Sequence, residues 1–209
     1  MIFSKIEDFE SELRRDMVSG TISGRILLDR FCVIEENSRR SPAYMDDRYS
    51  GFYYHLGKRI DPESLLEMNF DLGLLSGSMM VSCRTVTEFL GFRERGEQYF
   101  SPRIGRYNVR KVMRGRRDFY VGTLYDDEFD MRMRRATWDF ALVSDLSSSE
   151  RQLEYLDYVW PHISDNGIIA CENLGKNNYS EDGFLSFCQS KNRKAHIFPT
   201  RYGTGLVQK

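Results

Sequence analysis

The chain lacks any apolar run approaching the ~20 residues that cross a bilayer, so no membrane partner is expected. Its opening, MIFSKIEDFESELRRDM, is acidic too early and has no long apolar centre, so it does not read as a secretory leader. Only four cysteines occur, Cys32, Cys83, Cys171 and Cys188. They are scattered without a CxxC pair, which points to reduced structural thiols and a cytoplasmic setting. His55, His162 and His196 are equally dispersed, so no zinc or other metal site is expected. There is no internal repeat and no low-complexity tract.

What remains is an ordinary globular composition, 41% hydrophobic and 29% charged, with a formal net charge of −1 over 209 residues. The 14 Phe and 12 Tyr are many for this length. They suit a large core with a surplus for interfaces. Residues 5–18 carry Ile6, Phe9, Leu13 and Met17 at helical spacing. Residues 26–40 offer a second helix, with Leu27, Phe31 and Ile34 inward. Residues 43–57 read as a loop leading into a short aromatic helix. The expected division is an N-terminal helical appendage over 1–57 and an α/β domain over 58–209. The appendage either covers part of a sheet or serves as a docking arm.

Strands are expected at 64–68, 87–92, 118–121, 140–144 and 167–172, with helices at 74–84, 106–113 and 147–160. This alternation predicts an α/β fold with a mainly parallel, doubly wound sheet. A final pair, 194–199 and 203–207, turning at Tyr202-Gly203, predicts an antiparallel C-terminal edge hairpin.

The segment SLLEMNFDLGLLSG, Ser64 to Gly77, reads as strand, turn and helix. Such turns ordinarily need glycine for a tight bend and for close approach of a ligand to the backbone. Here the small positions hold Asn69, Asp71 and Gly73. Asn69 tolerates positive φ, whereas Asp71 brings a carboxylate into the turn. The segment resembles motif I of the class I S-adenosylmethionine (SAM)-dependent methyltransferases, an acid followed by Gly-x-Gly-x-Gly. Glu67 matches the acid, and Asn69, Asp71 and Gly73 match the glycines. Trp138 to Asn173 also resembles the strand–helix–strand of small members of that family, so the likeness spans roughly residues 50–173. It implies a Rossmann-like class I methyltransferase fold with degenerate cofactor motifs. If the site functions, Glu67, Asn69, Asp71, Gly73, Arg93 and Glu172 are the positions that would meet SAM.

The departures from that pattern are specific. The carboxylate that accepts from the ribose hydroxyls coincides with Arg93, which has donors only. Arg93-Glu94-Arg95 reads as a solvated turn. Where a metal-dependent member has Ile-Asp-x-Asp-His, this chain has Val143-Ser144-Asp145-Leu146-Ser147. Ser147 and Glu150 read as a capping box opening a helix. Glu172, in Cys171-Glu172-Asn173, is the one strand-end acid that matches.

Charge is blocked rather than even. Ser101 to Arg117 holds seven basic residues, Arg103, Arg106, Arg110, Lys111, Arg114, Arg116 and Arg117, and no acid. Asp126 to Asp130 is acidic, and Arg132, Arg134 and Arg135 follow. Such blocks suit a solvated helix, contact with other protein subunits, or nucleic-acid phosphates. Two motif-I glycines, the ribose-binding acid and the acid–histidine group lost together favour a non-catalytic structural or assembly protein on a degenerate fold, with no cofactor and a place in a phage virion. The alternative is a divergent active methyltransferase, since methyl transfer is driven by orientation and needs no obligatory general base.

Overall fold

A computed structural model of the chain describes residues 5–19, 47–96, 102–144, 148–175 and 178–209. The proposed helix at 26–40 and the residues Asp145, Leu146 and Ser147 lie outside the described residues. Seven strands, β1 (Ser64–Met68), β2 (Glu88–Glu94), β3 (Arg116–Gly122), β4 (Trp138–Val143), β5 (Ile163–Glu172), β6 (His196–Phe198) and β7 (Thr204–Gln208), form one sheet in the order β3-β2-β1-β4-β5-β7-β6. β1 to β5 pair in parallel, and β7 runs antiparallel between β5 and β6. The expected hairpin is therefore present, with β6 as the outer strand.

Among the described residues the α-helices are α1 (Ile6–Ser19), α2 (Asp47–Ile60), α3 (Leu74–Ser82), α4 (Pro102–Val112), α5 (Asp127–Met133), α6 (Ser149–Val159) and α7 (Asn178–Ser190). Because side chains alternate along a strand, the sheet feeds two cores. Leu65, Phe89, Phe140, Leu142, Ile168 and Ala170 pack with α1 to α4. Leu66, Met68, Leu90, Phe92, Ala141 and Ile169 pack with α5 to α7. With helices on both faces, a central strand is buried throughout, and all five residues of β1 are. Two helices were not foreseen. α5 grows out of the acidic run, whose carboxylates favour a helix start, and α7 follows the second strand–helix–strand unit.

The N-terminal helices are integral to the first core. Ile6, Phe9, Leu13 and Met17 of α1 and Phe52, Tyr53, Leu56 and Ile60 of α2 are all buried in it. Arg14 of α1 donates to the Ile197 carbonyl of β6 at 2.7 Å, and Glu10 meets His196 Nδ1 at 2.6 Å. Arg59 of α2 pairs with Asp16 of α1 at 2.6 Å.

Two details fix the turn after β1. Phe70 lies flat enough over β2 that a Cβ on Gly91 would come within 2.8 Å of its ring. On the other side, a Cβ on Gly105 of α4 would sit 1.9 Å from the Asp71 carbonyl oxygen. Asn108, one turn along α4 and fully buried, donates Nδ2 to the Leu72 carbonyl at 3.0 Å. The turn is thus clamped between a strand glycine and a helix glycine. Gly105→Ala is expected to destabilise the fold by about 1–3 kcal/mol through overpacking against backbone. Gly175→Ala, whose nearest neighbour atom would be 3.4 Å away, should change it by less than ~0.5 kcal/mol. Urea unfolding of the two variants checks both values.

Candidate functional site

The strand order reverses direction between β1 and β4, and open α/β sheets place their ligand crevice at that switch, beyond the carboxyl ends of the strands. Asn69 and Ser144 stand there, one after each strand. Asn69 Nδ2 donates to the Ser144 carbonyl at 3.2 Å, and the Ser144 hydroxyl to the Met68 carbonyl at 3.5 Å. The β1–α3 turn bends as a glycine-rich turn would. Asn69 has φ 60° and Gly73 has φ 63°, both left-handed. Asparagine is among the few non-glycine residues that tolerate this region.

Glu67 is the ionisable residue of β1. It is 4% exposed, faces α3 near Ser76, and its Oε2 has no hydrogen-bond partner among the described residues. Burial pushes its carboxyl up to about 8; the Ser76 hydroxyl opposes the shift and the charge on Asp71 adds to it. An orphaned, buried acceptor directly under a cradle-shaped turn is the feature of this site that most invites a donor.

Arg93 is not in a solvated turn. β2 continues through Glu94, and Arg93 is 5% exposed, on the same face as Glu67. The expectation failed because an Arg-Glu-Arg triplet reads as surface, while strand alternation turns Arg93 inward. Its Nη1 donates to the Phe70 carbonyl at 3.3 Å and to Asp71 Oδ1 at 3.2 Å. Asp71 keeps a side chain 30% exposed at the rim of the turn. Glu94 points to the opposite face, where Arg151 of α6 pairs with it and the Tyr155 hydroxyl donates to it at 2.8 Å.

Glu172 stands apart from this group, at the end of β5. It is 2% exposed and accepts from the Tyr53 hydroxyl of α2 and from Thr204 Oγ1 of β7 at 3.2 Å. Burial holds its carboxyl well above the usual carboxylate range, with Thr204 opposing. The structure therefore brings Glu67, Asn69, Asp71, Gly73 and Arg93 to one turn and places Glu172 under α2. Sequence reasoning missed Gly105, Asn108 and Tyr53. A glycine inside a helical pattern was the available signal for the first. The cap of α6 is also one residue later than expected: Ser148 accepts from the Arg151 amide at 3.2 Å. Among the described residues no cluster of His, Cys, Asp and Glu suits a metal ion, and no helix is long and apolar enough to cross a membrane.

The chain matches no protein-family model and no curated protein sequence. It does match solved structures along nearly its whole length. The Podospora anserina methyltransferase PaMTH1, solved with S-adenosylhomocysteine (SAH), is 13% identical with a TM-score of 0.63, covering 99% of this chain and 97% of that one. An O-methyltransferase from Bacillus cereus, in complex with SAH, is 12% identical with a TM-score of 0.59, over 100% and 94%. The O-methyltransferase TomG of Streptomyces achromogenes, involved in tomaymycin synthesis and solved with SAM, is 11% identical with a TM-score of 0.60, over 88% and 93%. The fold is that of the class I methyltransferases. The expectation of a structural or assembly protein, with a place in a phage virion, is overturned by these matches: they are methyltransferases, three of them holding SAM or SAH, and no assembly protein stands among them. That expectation weighed lost side chains and could not see the left-handed backbone at Asn69 and Gly73.

The burial of Glu67 has a pH signature. The folded chain keeps this proton to about pH 8, whereas an ordinary glutamate loses it near 4.5. The folded state therefore holds more protons than the unfolded one across that window, and stability falls as pH rises through it. Glu172 contributes with the same sign. Glu67→Gln should raise the melting temperature more at pH 8 than at pH 5. Equal shifts at the two pH values would show that Glu67 ionises normally.

Proposed function

We propose that the chain is a divergent SAM-dependent methyltransferase that holds its cofactor on the β1–α3 turn. The observation that carries this reading is the left-handed backbone at Asn69 and Gly73, which keeps the cradle although two of its three glycine positions have changed. Bound SAM would supply an electrophilic methyl group on a positively charged sulfur. The chain's own residues bind and orient. Glu67 offers a buried acceptor that becomes a carboxylate when a cation, such as the amino group of the cofactor, arrives beside it. Gly73 and the backbone of the turn allow close approach.

The ribose end departs from the family pattern in a way that compensates itself. Arg93 accepts no hydrogen bond, but it holds Asp71 at 3.2 Å, and Asp71 has the acceptor oxygens that β2 lacks. The degenerate positions then amount to an exchange, with the carboxylate moved from strand end to turn and fixed there by an arginine. Methyl transfer itself needs in-line alignment of nucleophile and methyl group, so a missing acid–base pair does not weigh against activity. Glu172, enclosed by Tyr53 and Thr204, shapes the wall under α2.

Asp71 separates this reading from an obstructed pocket. Asp71→Asn keeps the size and removes the charge, and is expected to weaken SAM and SAH binding about tenfold, the loss of one charge-assisted hydrogen bond. Tighter binding in Asp71→Gly would show instead that the carboxylate obstructs the cradle. Equilibrium dialysis with both ligands gives the answer without a methyl acceptor.

A further inference from the structure

The two basic blocks of the chain have different fates. Those after the acidic run are consumed internally. Arg132 pairs with Asp118 and Glu128, Arg134 with Asp130 at 2.6 Å, and Arg135 with Asp118 at 2.9 Å. On α4 the opposite holds. Arg103, Arg110 and Lys111, with Arg114 just past the helix end, are exposed and make no ion pair among the described residues. Arg116 meets Glu88 at 3.5 Å, and Arg117 donates to the Met113 carbonyl at 2.7 Å.

Helical geometry gathers these cations on one side, with Arg106 half-buried against the Phe119 ring, 5.4 Å from its centroid. At 3.6 residues per turn, Arg103, Arg106, Tyr107, Arg110 and Lys111 fall within an arc of about 140°, and the first and last stand about 12 Å apart along the axis. Gly105, Asn108 and Val109 occupy the buried side. Tyr107 lies in the middle of the stripe, 46% exposed, with the Lys111 ammonium 5.0 Å from its ring centroid. An aromatic ring flanked by unpaired cations is the composition that tracks a phosphate backbone and stacks an unpaired base. No acid occurs from Ser101 to Arg117, which suits a polyanion, and an exposed aromatic ring among those cations favours an unpaired nucleic-acid strand over an acidic protein surface.

We propose that the outer face of α4 is a docking stripe for single-stranded nucleic acid, with Arg103, Arg110, Lys111 and Arg114 on phosphates and Tyr107 under a base. The stripe is independent of methyl transfer, because none of its residues belongs to the β1–α3 turn. The test is fluorescence anisotropy with a labelled 15-nucleotide oligothymidine across a salt series. Four phosphate contacts imply a log–log slope of about −3, or roughly 50-fold weaker binding at 200 mM than at 50 mM salt. Arg110→Ala with Arg114→Ala should halve that slope, while Arg110→Lys with Arg114→Lys, which keeps the charges and guards against a folding artefact, should preserve it. Tyr107→Ala should weaken binding about tenfold at constant slope, and Tyr107→Trp should not. Lys194→Ala, on the far edge of the sheet, should change nothing. No binding at 50 mM salt, an unchanged slope in the double alanine variant, or an equal effect of Lys194→Ala would overturn the proposal. Tighter binding of the matching duplex, or stronger competition by polyglutamate than by the oligonucleotide, would overturn it in favour of a different partner.

Discussion

The Asp71 carbonyl oxygen lies so close to α4 that a single methyl group on Gly105 would stand 1.9 Å from it. Much of the candidate site depends on that contact. It lets the helix after β2 press on the turn after β1, and Asn108 secures the adjacent Leu72 carbonyl. Phe70 closes the other side over Gly91, where no larger side chain would fit beneath the ring. The turn is over-determined by packing, and over-determination is what allows Asn69 to hold a left-handed φ at a modest cost. A cradle defined by its neighbours can lose glycines without losing its shape.

Charge at the site follows from the same geometry. Strand alternation sends Glu67, Arg93 and Glu172 to one face of the sheet and Glu94 to the other. Arg93 is buried, and a buried guanidinium demands a partner. Asp71 and the Phe70 carbonyl answer that demand. Among the described residues Glu67 has no such partner for its Oε2, and its burial favours the protonated carboxyl. Glu94 is not a spare carboxylate for the crevice, because Arg151 and Tyr155 hold it against α6.

Much of the fold was legible because hydrophobic runs and turn residues report it directly. β1 was read to the residue, and the hairpin from Tyr202-Gly203 was sound. The candidate site was legible as a set of positions along the chain. Its meaning was not, because side-chain identity was allowed to stand for backbone shape. Asn69 and Gly73 keep the bend through their φ angles, a property that a motif written in letters does not carry. Gly105 and Asn108 act from another helix, and Tyr53 reaches Glu172 across 119 positions. Such contacts follow from packing between distant segments, which periodicity within one segment cannot supply.

The central claim is that this turn still binds a cationic nucleoside cofactor over a buried, protonated Glu67. Calorimetric titration of the chain with SAM near pH 7, repeated in two buffers of different ionisation enthalpy, tests it most directly. Micromolar binding accompanied by release of a proton, lost in Glu67→Gln, is the expected result. Absence of binding to both SAM and SAH at millimolar concentration would contradict it.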